Sequence, residues 1–336
     1  MNNTAKNALY SLILIVIVGL VYLYRESQAL VPMEFYGEAM GSVYTIKYLD
    51  AQARKLKPEV DKFLEEFNTC LSTYDPKSEI SRFNQGMSHT FGCPHFYQVL
   101  EASRKIYEQS GGAFDPTVGP LVNAWGFGFK QEVQPDSLVI DSLLQLVGFD
   151  KISFDQKQVR KSQPGIVIDF NSIAPGYAVD LVAEMFEAKG IQNYMIEISG
   201  EVRCKGVNKD GKPWGIAIVN PVQQDDFQAI IPLSNRALVT SGNYRKFYVK
   251  DGVKYSHTID PKTGYPVQHS LLSATVLAPD ATTADAMATV LMVLGLEEGK
   301  KFLEKHPELD ALLIYSDAKG GTKTYITPEL AKLLEN

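Results

Sequence analysis

Hydrophobic and polar positions along this chain switch between two periods. Over residues 43–49 they alternate, the period of a strand with one buried face. Over 58–71 the spacing becomes that of an amphipathic helix, with Phe63, Leu64 and Phe67 inward. A second helix is predicted over 97–110, stopped by Gly111-Gly112, and a short apolar strand over 166–170, carrying Asp169 at its end. Residues 177–189 read as a helix closed by Gly190. Strands are predicted over 194–198, 214–219, 227–233 and 273–277, with a turn at Gly200. Residues 244–255 have the pattern of a hairpin turning at Asp251-Gly252, and 283–294 that of a helix. Strands and helices intersperse without a strict βαβ rhythm, so the expected fold class is α+β, with mixed, mainly antiparallel sheets and packed helices.

The N-terminus breaks both periods. Residues 8–24 are apolar or weakly polar all round, flanked by Lys6 and by Arg25 and Glu26. About 17 residues is the low end for a membrane span. We read residues 1–30 as an uncleaved signal anchor, because Arg25 and Glu26 separate the apolar core from the small-x-small site Ser27-Gln28-Ala29. A cleaved signal peptide is the alternative. Either reading puts the body outside the cytoplasm, at the inner membrane's periplasmic face. Residues 32–336 form one continuous domain, with no linker, low-complexity segment or clear repeat.

The formal net charge of −6 excludes the basic footprint of a nucleic-acid binder. A polyanionic ligand would need local cations, helix N-termini or a metal. Three cysteines, Cys70, Cys93 and Cys204, form no CxxC and give no disulfide framework, so they read as buried or incidental thiols.

Four segments carry candidate chemistry, each with a plain structural reading beside it. Asp285 and Thr289, spaced i, i+4, offer a carboxylate and a hydroxyl on one helix face, hard oxygen donors suited to Mg²⁺. Alternatively, Asp285 serves the helix dipole. The Gly- and Pro-dense run 111–120 lets backbone approach a ligand, and Trp125-Gly126-Phe127-Gly128-Phe129 offers rings for stacking, or a hydrophobic plug. Asp169 leads a turn into a helix, facing a ligand or capping the turn. Over 240–245 and 256–264, His257 is placed to move protons and Arg245 to meet a phosphate, unless the segment is merely a good turn. No P-loop, GxSxG, HExxH or strand-borne GxGxxG is present.

In this order the segments resemble the ApbE family of FAD:protein FMN transferases. The likeness runs from Met40-Gly41-Ser42 through the S-x-Y-x-P-x-S-E-I-S segment 72–84, GGAFDPTVGPLVNAWGFG, TSGNYRKFY, SHTIDPKTGYPV and ADAMAT. It implies an α+β core related to the T-fold. It implies FAD contacts at Met40, Tyr74, Ala113, Phe114, Asp115, Asp169 and Ile259. It implies a Mg²⁺ site at Asp285 and Thr289 with the backbone carbonyls of Ser172 and Ala288. Two departures stand out. At the FAD-site position Pro175 a usual Lys, Glu or Gln is missing, so that a side-chain contact to FAD is absent or replaced, and Ser199-Gly200-Glu201 replaces Gly-Gly-Glu.

The implied chemistry is attack by an acceptor threonine or serine hydroxyl on the FMN-side phosphorus of FAD, releasing AMP. His257 is the candidate base, ahead of Asp285 or Asp260. In an extended segment His257 and Ile259 would face the same side. Asp285, as a cleft ligand, is expected to contribute little to packing. The implied partners are flavin-carrying subunits of membrane redox complexes of the Nqr or Rnf type. The rival readings are a Mg²⁺-dependent FAD pyrophosphatase and a non-enzymatic flavin-binding protein.

Overall fold

The alternation at 43–49 belongs to β2 (Ser42–Asp50), paired antiparallel with β1 (Val31–Ala39). Met40 and Gly41 join them at φ 54° and 73°, the left-handed pair that a two-residue hairpin turn requires. In this computed structural model the described residues are 6–7, 10, 13–18, 29–128, 135–221, 227–243, 247–250 and 253–335.

Next come α1 (Lys57–Leu71), α2 (Glu79–Gln85), β3 (Ser88–Thr90) and α3 (Pro94–Gln109). A 3-10 turn, Pro116–Val118, leads into α4 (Gly119–Ala124), followed by α5 (Ser137–Leu144). β4 (Ile152–Phe154) and β5 (Gln158–Lys161) pair with β3 in a small sheet. The second half holds α6 (Ala174–Ala188), β6 (Asn193–Ile198), β7 (Glu201–Lys205), and a ribbon of β8 (Trp214–Val219) and β9 (Phe227–Leu233). It continues with β10 (Arg236–Gly242) and the hairpin β11 (Phe247–Lys250) and β12 (Val253–Ser256). β13 (Leu271–Ala278), α7 (Ala281–Lys305), β14 (Asp310–Ser316), β15 (Thr322–Ile326) and α8 (Pro328–Leu334) complete the chain.

The main sheet has eight strands in the order β1-β2-β6-β7-β10-β13-β14-β15, every neighbouring pair antiparallel. Period-2 alternation sends Tyr194, Ile196 and Ile198 of β6 to one face, where they share a core with Val179, Val182 and Phe186 of α6 and Leu291 of α7. The opposite face packs Val202, Leu238 and Ile314 against Trp214 and Ile231 of the ribbon and Leu330 of α8. A third, smaller cluster gathers Leu121, Trp125, Ile140, Val147 and Ile259.

Three expectations are corrected. Residues 166–170 form no strand. Their ladder is replaced by one side chain: Asn84 donates from Nδ2 to the Ile168 carbonyl at 2.8 Å and accepts the Ile168 N–H at 2.9 Å. Cys70 and Cys93 form a disulfide with Cα atoms 6.0 Å apart, because the end of α1 folds onto the start of α3; linear spacing does not reveal that contact. Only Cys204 is a free, buried thiol. Finally, the helix read at 283–294 stops at a kink, Gly295 (φ 73°), and then continues to Lys305.

Among the described residues no helix is long and apolar enough to cross a membrane. Of the expected anchor, residues 6–7, 10 and 13–18 are helical and exposed and 29–30 irregular and exposed; the rest lies outside the described residues, as do Arg245 and the turn at 251–252.

Candidate active site

One cavity of 750 Å³ opens at the end of the main sheet where the β1–β2 and β6–β7 turns emerge. Met40, Tyr74, Ala113, Phe114, Asp115, Asp169, Ser172, Pro175, His257, Ile259 and Thr289 all line it. Asp285 and Ala288 are not on its surface; they lie buried in α7, one turn and one residue behind Thr289.

One wall is the α6–α7 junction. Asp180 of α6 accepts the N–H groups of Ala281 and Thr282 at 2.9 and 2.8 Å and the Thr282 hydroxyl at 2.6 Å, tying down the N-terminus of α7. Arg203 of β7 donates to the same carboxylate at 2.7 Å. One turn earlier, Gly176 donates its N–H to Asp285 Oδ2 at 3.0 Å. A Cβ at 176 would stand 2.3 Å from the Ala281 carbonyl oxygen, so only glycine allows this approach. Pro175 sits in the first turn of α6, where a missing N–H costs nothing.

Asp285 is therefore a packed residue, which corrects the expectation that it contributes little to packing. Burial pushes its carboxyl pKa up; the Gly176 N–H opposes that, and the Asp180 charge adds to it. A buried carboxylate with one N–H partner is a costly anion, and a bound cation would restore its charged form. Among the described residues no three His, Cys, Asp or Glu side chains converge on a metal position. The expected donor set, one carboxylate, one hydroxyl and two backbone carbonyls, does not depend on such a cluster. The cavity fits this chemistry in another way. Asp115, Asp169 and Glu201 line it, and among its described lining residues there is no Lys or Arg. A cation bound here would offset that negative lining.

The floor is the 113–118 loop. Asp115 accepts the N–H and hydroxyl of Thr117 at 2.8 and 2.6 Å, and burial pushes its pKa up to about 6. Asp169 accepts the Asn171 N–H at 2.8 Å, so it caps its turn and lines the cavity at once. Tyr74, 64% exposed, stands at the rim.

The opposite wall carries His257. Phe127, Tyr248, Tyr255 and Trp125 form a run of stacked rings with centroids 5.2–5.6 Å apart, and the His257 ring meets Phe127 edge-on. Trp125 donates Nε1–H to the Gly264 carbonyl at 2.8 Å, and the Thr258 hydroxyl donates to Asn243 Oδ1 at 2.8 Å. His257 and Ile259 both line the cavity, but so does Thr258, so strand alternation does not sort this segment. Asp260 is not among the lining residues. It accepts the Lys262 N–H and the Thr263 hydroxyl, the role of a turn former.

Sequence reasoning missed Asn68 and Leu71 of α1, Ser199 and Glu201 at the β6–β7 turn, and Met292 and Val293 of α7. Met292 and Val293 were findable: they continue the i+3, i+4 stripe from Thr289. Ser199 holds φ 60°, in the left-handed region that glycine adopts most readily, which suits the Gly-Gly-Glu that the resemblance implies here.

The ApbE family model matches residues 40–313. The FAD:protein FMN transferase of Vibrio cholerae is 40% identical over 312 residues, covering 89% of this chain and 91% of that protein. The transferase of the same description from Escherichia coli K12 is 35% identical over 89% of this chain and 88% of its own. The crystal structure of the Pseudomonas stutzeri flavinyl transferase ApbE in its apo form superposes with a TM-score of 0.84 at 35% identity, covering 92% of this chain and 98% of that one.

Proposed function

The chain belongs to the ApbE family, and on that premise we propose that it transfers FMN from FAD to a threonine or serine side chain of an acceptor protein. The observation that carries this reading is the 750 Å³ cavity, in which the residues expected to contact FAD meet Thr289 and His257.

The bond that forms joins the acceptor oxygen to the FMN-side phosphorus; the bond that breaks is the pyrophosphate link, and AMP leaves with its electron pair. An imidazole nitrogen of His257 takes the hydroxyl proton. Asp115, Asp169 and the rim residue Tyr74 position the dinucleotide. Asp285, Thr289 and the carbonyls of Ser172 and Ala288 would hold Mg²⁺, which would supply positive charge against the pyrophosphate.

Residues 1–30 serve as a membrane anchor or signal segment, and residues 32–336 as the transferase domain on the periplasmic face of the inner membrane. The exposed apolar helix at 13–18 supports the anchor. The Cys70–Cys93 disulfide supports an oxidising compartment. Flavin-carrying subunits of Nqr- or Rnf-type complexes suit that position as acceptors. The test is incubation with FAD, Mg²⁺ and such a subunit, followed by intact mass measurement. A mass gain of one FMN on the acceptor, abolished by EDTA, is expected. AMP and free FMN without modified acceptor would replace the reading with a pyrophosphatase.

A further inference from the structure

A second cavity, of 310 Å³, lies on the opposite face of the main sheet from the helices, between that sheet and the β8–β9 ribbon. On the ribbon side it touches five successive residues, Gly215 to Val219. Successive side chains of a strand point to opposite faces, so a cavity that meets five in a row runs along the strand's edge rather than over a face. Among the described residues β8 pairs with β9 alone, which leaves this edge without a strand partner. Gly215 and Ala217 are exposed and too small to shield it. An open edge of this kind is a template for another strand.

The groove also has a direction. Glu197 and Thr240 form its opposite wall, and Ser199 stands at one end. Ser199 lines the main cavity as well, so the two spaces meet at this residue. Its hydroxyl is buried and has no hydrogen-bond partner among the described residues.

We propose that the acceptor protein docks by laying an extended segment along the free edge of β8, with its hydroxyl-bearing residue passing Ser199 into the main cavity. This rests on the FMN-transfer reading, in which a protein hydroxyl must reach a site otherwise shaped for a dinucleotide. Backbone pairing supplies affinity with little dependence on sequence, and alternate side chains of the added strand are read by the groove.

The test uses the full chain in detergent, with FAD, Mg²⁺ and the extracytoplasmic flavin-carrying subunit of an Rnf-type complex as probe. Ala217→Trp fills the groove from an exposed position. It should raise the acceptor KM about tenfold or more while FAD affinity and acceptor-independent AMP release stay at the wild-type level. An unchanged acceptor KM would overturn the proposal. So would a matching loss of FAD affinity in a folded variant, which would assign the groove to FAD, or a dimer broken by Ala217→Trp with acceptor KM unchanged, which would assign the edge to a second copy. Hydrogen exchange on the wild type gives an independent reading: β8 amides should gain protection when the subunit is added, and no gain refutes docking even if Ala217→Trp misfolds. Failure of the wild type to modify the subunit counts against the transferase reading instead, and leaves the exchange result to judge the edge.

Discussion

The two walls of the cavity are built differently. The α6–α7 wall belongs to the main core, and its polar groups are closed by short, buried contacts: Asp180 to the start of α7, Gly176 to Asp285. The His257 wall belongs to the small cluster around Trp125, and stacked rings and a few turn bonds hold it. One wall is fixed by backbone proximity, the other by side-chain packing. An enzyme that must hold a charged ligand still while admitting a protein hydroxyl gains from placing these tasks on separate supports.

The sharpest way to break the comparison is at Asp285. Asp285→Asn keeps an acceptor for the Gly176 N–H and removes the charge, so FMN transfer should fall below detection while the melting temperature holds. Asp285→Ala also strands that N–H, at about 1–3 kcal/mol, and should lower both. Full activity in Asp285→Asn would end the metal assignment. On the other wall, His257→Asn should lower kcat by about 10²–10⁴-fold with FAD affinity little changed, and abolish the acid limb of the pH–rate profile. A retained acid limb would point to an aspartate.

Gly176→Ala tests rigidity directly. The added methyl must displace the Ala281 carbonyl, an overpacking cost of about 1–3 kcal/mol, readable in a urea titration as a lower midpoint. The floor gives a pH test. The Asp115 carboxyl, raised from 3.8 to about 6, keeps its proton in the folded chain where the unfolded chain has lost it. Its stabilising share is therefore present below about pH 4 and lost as pH rises through 6, at most about 3 kcal/mol. Asp115→Asn should remove that decline; identical pH slopes for the two proteins would contradict it. Smallest is Trp125→Phe, which deletes the bond to Gly264: about 1 kcal/mol of stability, with any loss in kcat and none in metal affinity.

What could be read beforehand follows the same divide. Asp285 and Thr289 were visible because helical spacing fixes which residues share a face. Strands β2 and β6 were visible because each alternates a buried with a less buried side, whereas β1, β7, β10, β14 and β15 went unread. Pairing between distant segments was not visible. The Cys70–Cys93 bond, the Gly176–Asp285 contact and the place of Asn68 in the cavity depend on which helix lies beside which, and no local period encodes that. The burial of Asp285 was misjudged for this reason: a carboxylate's exposure is set by its neighbours in space.

Asn84 closes the 72–84 segment, and its two bonds to Ile168 do the work of a ladder with a single peg. A paired strand has a translational repeat of two residues, so it can slide and re-pair with the same faces in place. An amide fitted to one peptide unit has no such repeat. The neighbouring Asp169 N–H adds a bond to the Pro116 carbonyl at 2.8 Å, so Asp169 cannot creep along the cavity wall unless peg and neighbour let go together. Aspartate at 84 would bring acceptors without the donor that the Ile168 carbonyl needs. The address of Asp169 is thus written in a residue 84 positions upstream of Ile168.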